Sequence, residues 1–245
     1  MKFPNPFAAR PASTQLASEV EGLPLVVHVN PRARRISIRV CITSRSVRLT
    51  LPPRASRARA AAFLEEQRSW IRRQAALRLP DPVPFAAGTI LPLGDRPLIL
   101  MPGSGRTARR EGDTLLVPGG PPLFEGRVRR WLKAEALRVF EPPTHELAAQ
   151  LGRTVSNVSV GDYRSRWGSC AQGASGARIT YSWRLILAPD HVQRAIVAHE
   201  VAHLAEPNHG PRFWRLATEL LGESHEPARQ WLRRHGPDLH GMGAG

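Results

Sequence analysis

Hydrophobic and polar residues alternate with a period of two in three segments that follow residue 22. The segments are LPLVVHVN from Leu23, RRISIRVCIT from Arg34 and SVRLTLPP from Ser46. Such alternation is typical of half-buried β-strands, because successive side chains of a strand point to opposite faces of the sheet. The pattern predicts three antiparallel strands, with one face formed by Ile36, Ile38, Val40 and Ile42.

A helical period follows these strands. The segment from Ser56 to Leu79, SRARAAAFLEEQRSWIRRQAALRL, consists mainly of good helix formers and precedes Pro80, which is expected to end the helix. Residues 81–122 then return to short hydrophobic stretches, TILPLG, PLILMPG and DTLLVPG, which Gly and Pro separate. The first half of the chain is therefore predicted to be rich in strands.

The second half alternates helices with a hairpin. A helix begins at Glu125, and Pro142 and Pro143 are expected to break it before Thr144 caps a new helix. The segments VSNVSVGDYRSRWGSCA and RITYSWRLILAP, on either side of the Gly-rich QGASGA, predict a β-hairpin. Asp190 is the predicted N-cap of the next helix, HVQRAIVAHEVAHLAE, which a Pro-Asn pair ends.

The composition is that of a folded protein. Hydrophobic residues make up 42% and charged residues 22% of the 245 positions, which excludes a wholly disordered, collagen-like or polytopic membrane chain. Cys41 and Cys170 form no C-x-x-C pair, so neither a disulfide framework nor a Cys-only zinc site is expected. Residues 1–22 contain no apolar run long enough for export or a membrane span. We expect a loosely ordered tail there, a cytoplasmic location and no membrane partner.

The helix after Asp190 carries the pattern H-E-x-x-H at His199, Glu200 and His203. At about 100° per residue, the two histidines lie one turn apart on one face, so that both imidazoles can reach one ion. Zn²⁺ prefers nitrogen ligands in near-tetrahedral geometry, and a catalytic site leaves one position for water. The pattern therefore predicts a zinc site that requires a third protein ligand.

His209 is the leading candidate for that third ligand. It follows His203 by six residues, the offset of the longer pattern H-E-x-x-H-x-x-G-x-x-H, although Glu206 stands where that pattern has Gly. Glu200 is expected to act as general base and then as acid, whereas its structural alternative is an ion pair with an arginine. Because His₂Glu zinc sites also exist, four carboxylates remain rivals to His209. They are Glu206, Glu219, Glu223 and Glu226.

A purely structural interpretation of the motif is also open, in which His199 and His203 are partly buried and satisfied by hydrogen bonds. Random placement of the residues produces H-E-x-x-H only about 0.02 times in a chain of this composition, and such groups are costly to desolvate on an apolar helix. The sequence therefore favours a metal. The dipeptide His145–Glu146 has Ala149 in place of the second histidine and predicts a solvated helix face.

Three longer runs resemble the YgjP-like family of small bacterial zinc metallopeptidases. They are YRSRWGSC (Tyr163 to Cys170), WRLILAP (Trp183 to Pro189) and VAHEVAHLAEPNHGPRFW (Val197 to Trp214), and weaker likeness extends the match to roughly residues 25–235. The resemblance implies a zincin-type domain with His199, His203 and His209 as zinc ligands and Glu200 as catalytic acid and base. It also implies kinship with SprT-like proteases, which include proteases of DNA-attached proteins. Members of the family are associated with hydrolysis of UTP to UMP and pyrophosphate.

The R-W-G-S-C run is expected to join the site, because a strand beside a zincin helix can pair with an extended peptide. Arg166 or Arg164 is predicted to stabilise a developing oxyanion or to hold a phosphate. Gly168 is predicted to permit a close backbone approach. Trp167 is interpreted as core packing, and Cys170 as a small buried residue, with a zinc-approaching thiolate as the alternative.

The formal net charge is +15, which favours a polyanionic partner. Since 33 of the 35 basic residues are arginine, composition bias is an alternative cause. We predict a zinc metallopeptidase acting on a peptide or protein, with a UTP pyrophosphohydrolase and a non-catalytic nucleic-acid-binding module as alternatives. The expected fold class is α+β, with a tail at 1–22, a strand-rich region at 23–122 and a zincin-like catalytic region at 123–245.

Overall fold

The structure, a computed structural model, describes residues 16–41, 45–78, 81–163, 165–173 and 176–243. The chain divides into two compact units, Met1–Leu79 and Pro80–Gly245. Both units combine sheets and helices, which confirms the predicted α+β class. Among the described residues, every helix is too short or too polar to cross a membrane. Some predictions concern positions outside the described residues, namely the first 15 residues of the tail, Ile42 and Thr43, the helix end at Leu79 and Pro80, Arg164, and residues 174 and 175 of the Gly-rich segment.

The first unit is a four-stranded sheet with one helix. Its sheet has the order β1-β2-β4-β3, and its elements are β1 (Glu19–Val20), β2 (Leu23–Val29), β3 (Ser37–Cys41), β4 (Ser46–Leu51) and α1 (Arg57–Arg78). The central strand β4 buries Val47 and Leu49 against Leu64 and Ile71 of α1. Alternate residues of the β3 segment also reach this core, as predicted.

Two expectations for this unit were wrong. β3 is antiparallel to β4, but β2 and β4 are parallel. The chain reverses its direction between β2 and β3 and again between β3 and β4, and β4 lies next to β2 in the sheet. Residues Glu19–Val20, expected in a loose tail, form β1 and pair with β2. Val20 is buried, and the Glu21 carboxylate binds both Arg68 and Arg72 of α1.

The second unit begins with another four-stranded sheet, in the order β5-β6-β8-β7. Its strands are β5 (Ile90–Leu93), β6 (Arg96–Gly103), β7 (Arg109–Glu111) and β8 (Thr114–Pro118). Leu98, Leu100 and Leu115 share one core with the helices that follow. The boundary predicted at residue 122 therefore falls inside a compact unit, whereas the structure divides the chain after Leu79.

The helix α2 (Pro121–Gln150) is continuous through Pro142 and Pro143, so the predicted break was wrong. Each proline removes one backbone donor, yet the turn is held by tertiary contacts. Thr144, predicted as a cap, is fully buried, and its hydroxyl donates to the Phe140 carbonyl at 2.6 Å. The Tyr181 hydroxyl lies 2.8 Å from the same Thr144 oxygen. Because the Thr144 hydrogen is already committed to Phe140, Tyr181 is the donor of that second bond.

The remaining elements surround α2. The predicted hairpin is present as β10 (Gly168–Ala171) antiparallel to β11 (Ala177–Ser182), while the preceding residues form a separate strand, β9 (Val155–Gly161), parallel to β11. A 3₁₀ turn, Trp183–Leu187, leads to the three final helices. They are α3 (Asp190–Ala202), α4 (Pro211–Leu221) and α5 (Glu226–Gly241). Pro189, rather than the predicted Asp190, occupies the N-cap position of α3.

Candidate metal centre

The helix α3 positions the H-E-x-x-H residues because most of its length is anchored in the core. Val192, Ala195 and Val201 are buried in the main core of the second unit. At about 100° per residue, Val192 and Val201 lie on opposite sides of α3, so the helix is held in the core on more than one side, and His199 lies one turn after Ala195. His203 follows α3 directly as the C-cap residue. The anchored helix therefore holds the two histidines one turn apart at its C-terminal end, beside the loop that precedes α4.

Three imidazole rings converge at this point. One ligand nitrogen from each of His199, His203 and His209 lies within 4.8 Å of the other two. The Nε2 atoms of His199 and His209 are 3.0 Å apart, and the ring centroids of His203 and His209 are 4.7 Å apart. Two nitrogens bound to one tetrahedral zinc ion at about 2.0 to 2.1 Å lie about 3.3 Å from each other. The cluster is thus of the size that one zinc ion requires, and its all-imidazole donor set suits zinc.

The protonation of the rings also fits a metal. Burial, together with neighbouring His203 and His209, lowers the pKa of His199 to about 3. Burial is likewise the main cause that lowers the pKa of His203. Both rings are therefore neutral at neutral pH, which is the form that offers a lone pair to a metal. The His203 Nδ1 donates to the carbonyl oxygen of Glu206 at 3.2 Å, so that its Nε2 carries the lone pair.

Aromatic side chains of α4 support the histidine cluster. Phe213 is fully buried, and its ring centroid lies 4.8, 4.5 and 4.7 Å from those of His199, His203 and His209, respectively. Trp214 lies within 6 Å of His199 and His209. These contacts confine the imidazoles, so that α4 forms the floor of the histidine cluster.

A fourth histidine, His225, lies near the cluster, although its position in the sequence has no metal-ligand spacing to the other three. It is buried, its Nε2 donates to the carbonyl of Ala217 at 3.0 Å, and its ring lies 6.4 Å from that of His199. It therefore links the start of α5 to α4 behind the cluster. No local sequence signal marks this contact.

Glu200 is buried on the same helix, with only 5% of its surface exposed. Burial raises the pKa of its carboxyl group to about 7, although the positive charge of Arg166 opposes the shift. A Cβ atom on Gly168 would lie 2.5 Å from the Glu200 Oε1. Gly168 of β10 thus permits the close backbone approach that was predicted for it, and the approach is to Glu200.

The R-W-G-S-C run lies beside this carboxylate. The guanidinium of Arg166 lies 4.7 Å from the centre of the Tyr163 ring and borders a cavity of about 490 Å³ that also includes Arg178 and Ser169. Burial and the nearby Glu200 charge raise the pKa of the Cys170 thiol to about 11, which favours its interpretation as a small buried residue.

Other residues of this region are structural. Trp167 stacks on His240 with centroids 5.0 Å apart and packs on the main core, as expected. Tyr181 is fully buried, and its hydroxyl donates to Thr144.

The four rival carboxylates lie outside the cluster of metal-ligand atoms found among the described residues. Glu206 contributes its backbone carbonyl to His203. Glu223 pairs with Arg194, and Glu226 with Arg229 and Arg233. The structure thus brings together the three predicted histidines, and α3 places Glu200 next to one of them.

The strand β10 has one free edge. It pairs with β11 on one side, and on the other side no strand of the described part of the chain is hydrogen-bonded to it. α3 packs against β10. An extended chain can therefore add to the sheet beside the helix that carries Glu200.

Comparison with protein families supports, at the level of the family, a metallohydrolase. The YgjP-like, metallopeptidase domain model matches residues 34–235. The chain therefore belongs to the YgjP-like family. Neither a curated protein nor a solved structure matched the chain.

Proposed function

We propose that this protein is a zinc-dependent metallopeptidase that hydrolyses peptide bonds. The observation that carries the proposal is the convergence of His199, His203 and His209, with buried Glu200 on the same helix. Membership of a metallopeptidase family supports the same reaction class.

The three histidines would hold the zinc ion through imidazole nitrogens, and the ring of His203 is already oriented by the Glu206 carbonyl. When bound, zinc supplies Lewis-acid chemistry, which acidifies water and polarises a carbonyl group. Phe213 packs against all three rings and restricts their orientation. A preorganised ligand set of this kind loses little conformational entropy on binding the ion.

Glu200 would move the proton in the reaction. Its carboxylate accepts a proton from the attacking water as the C–O bond forms, and it then donates that proton to the amide nitrogen as the C–N bond breaks. The carboxylate lies against the Gly168 backbone, so its position is restricted. General acid–base catalysis of this kind contributes about 10² to 10⁴ in rate.

The free edge of β10 would align the substrate. Main-chain hydrogen bonds from this edge fix an extended peptide irrespective of its sequence. Arg166 lies close enough to Glu200 for its positive charge to oppose the effect of burial on the pKa of Glu200. It is therefore the candidate for stabilising the negative charge that develops on the carbonyl oxygen. Arg164 lies outside the described residues.

Hydrolysis of UTP to UMP and pyrophosphate at the same centre is the second candidate. The observation that favours it is the pair Arg166 and Arg178 in the cavity of about 490 Å³ beside β10. Guanidinium groups bind phosphate in a bidentate manner, and neither arginine forms an ion pair with a carboxylate within the described part of the chain.

A substrate panel separates the two candidates. Purified protein is incubated with casein, short peptides or UTP, each with and without a zinc chelator. We expect cleavage of casein or peptides that the chelator abolishes and that added zinc restores. Turnover of UTP without turnover of any peptide would instead support the second candidate. Peptide cleavage that persists unchanged after complete removal of zinc would contradict the proposed mechanism.

A further inference from the structure

The positive charge of the protein is concentrated in its first unit. Residues 1–79 contain 15 of the 35 Lys and Arg but only 4 of the 20 Asp and Glu, a formal charge of +11. The remaining 166 residues carry only +4. Composition bias towards arginine would act on both units alike, and it would not remove carboxylates from one of them. The asymmetry therefore calls for a local cause.

Four arginines of this unit line one groove, which we call the arginine groove. Arg34 and Arg35 come from the turn before β3, Arg54 from the connection between β4 and α1, and Arg59 from the first turn of α1. The groove has a volume of about 660 Å³, and Glu66 is the one acidic residue of its described lining. Three separate chain segments thus bring positive charge to one concave surface.

The arginine groove is not neutralised within the protein. None of its four arginines forms an ion pair with a carboxylate among the described residues. Arg68 and Arg72, farther along α1, differ in this respect, because both bind Glu21. Among the described residues, α1 therefore carries ion-paired arginines in its middle and Arg59, which forms no ion pair there, near its N-terminal end.

The backbone of α1 adds to the positive electrostatic potential of the arginine groove. The Ser56 hydroxyl accepts a hydrogen bond from the Arg59 N–H at 3.2 Å and so caps the helix. The positive end of the helix dipole lies at the same end, where an anion is stabilised in addition to its contacts with side chains.

Apolar side chains line the same groove and indicate what kind of anion it suits. Ile36, Pro52 and Phe63 border it, and each is partly exposed. A small inorganic anion would make no use of these surfaces. An unpaired nucleotide strand presents regularly spaced phosphates together with flat, weakly polar bases that stack on aromatic and apolar side chains.

We propose that the arginine groove of the first unit binds single-stranded nucleic acid. The arginines contact the phosphodiester backbone, and the apolar lining around Phe63 contacts the bases. The groove contains none of the metal-ligand histidines. This binding therefore does not require the hydrolytic reaction, and either proposal can fail without the other.

Fluorescence anisotropy with the full-length protein tests this proposal. The probes are labelled single-stranded oligonucleotides of about 20 nucleotides, and duplex DNA and inorganic polyphosphate of equal charge serve as competitors. We expect the single strand to bind at least tenfold more tightly than polyphosphate. Equal affinity for polyphosphate would overturn the assignment to nucleic acid, and preferential binding of the duplex would overturn the assignment to a single strand.

A quadruple variant locates the binding. R34Q/R35Q/R54Q/R59Q is compared with R106Q/R130Q/R153Q/R234Q, which removes four exposed arginines from the second unit and so changes the net charge equally. The groove variant is expected to lose at least tenfold in affinity, and the control less than threefold. The slope of log affinity against log salt should flatten by about 2 to 3 in the groove variant. Equal losses in the two variants would contradict the groove assignment.

Thermal unfolding and zinc content check the fold of both variants. Because all eight replaced side chains are exposed, we expect both values to match those of the wild type. Should the groove variant not fold, the competition between the single strand and polyphosphate on wild-type protein still decides the proposal.

Discussion

The helices α2 and α3 of the second unit both contain the dipeptide His-Glu, a third copy (His225–Glu226) stands at the start of α5, and only the copy on α3 belongs to the candidate site. On α2, His145 and Glu146 are both exposed. On α3, His199 is partly buried and Glu200 is buried. Burial lowers the pKa of His199 and raises the pKa of Glu200. The dipeptide contributes to a candidate metal site where it is buried and where a second histidine follows one turn later. The presence of the dipeptide in the sequence is not sufficient.

Removing the two carboxyl groups tests this comparison most strongly. Glu200→Gln should reduce peptide hydrolysis by about 10² to 10⁴, because the variant lacks the group that we propose carries the proton, and it should retain its zinc. Glu146→Gln is the matched control on α2 and should change the rate less than twofold. The measurement is kcat/KM for one peptide alongside zinc content. Undiminished turnover by the Glu200 variant would exclude Glu200 as the base.

The close approach of β10 to α3 gives the next largest effect. Gly168→Ala would place a Cβ atom 2.5 Å from the Glu200 Oε1, and displacement of a catalytic group by about 1 Å can lower the rate about 10²-fold. Gly126→Ala on α2 is the control, since nothing lies within 4 Å of the added Cβ. We expect kcat to fall in the first variant only. Equal activity of both variants would show that Gly168 does not position Glu200.

These comparisons show what local sequence could predict. The spacing of His199 and His203 predicts that both rings lie on one face, because helix geometry depends only on positions close in sequence. His209 could be predicted as the third ligand because only six residues separate it from His203. The approach of Gly168 to Glu200 joins positions 32 residues apart. The Gly was expected to permit a close approach, but its neighbour could not be named from local pattern.

Other features depended on tertiary contacts that propensity cannot anticipate. Pro142 and Pro143 predict a broken helix, yet packing of Phe140 and the bonds of Thr144 keep α2 continuous. The parallel pairing of β2 with β4 depends on where a hairpin folds back. The burial of His225 likewise arises from the meeting of two helices, α4 and α5.

The contrast between the helices also predicts that Thr144 of α2 is structural. Thr144→Val should lower the free energy of unfolding by about 1 to 3 kcal/mol, because it leaves the buried Tyr181 hydroxyl without its acceptor. Zinc content should not change. Urea unfolding is the measurement, and Thr144→Ser, which retains the hydroxyl, should be closer to the wild type. A loss of zinc at unchanged stability would contradict this role.

The smallest effect concerns the pH dependence of stability. Hydrogen bonds from Arg138, at 2.9 and 2.7 Å, hold the pKa of Glu135 on α2 below its ordinary value. The stabilisation is present above the unfolded-state pKa, about 4.3, and is lost as the pH falls through the folded-state value.

Glu135→Gln should therefore reduce the loss of unfolding free energy on acidification by less than about 1 kcal/mol, since Arg138 is largely exposed. Urea unfolding at several pH values measures the dependence of the unfolding free energy on pH. Glu141→Gln is the control on the same helix, because Glu141 forms no ion pair within the described part of the chain. A larger loss of stability on acidification in the Glu135 variant would reverse the predicted sign.

Zinc content tests the central claim most directly. Protein is purified without added metal and analysed by inductively coupled plasma mass spectrometry, with H199A/H203A compared against H145A from α2. The three-histidine site predicts one zinc ion per chain in the wild type and in H145A, and none in the double variant. A full equivalent of zinc in the double variant would contradict the assignment of these histidines as ligands.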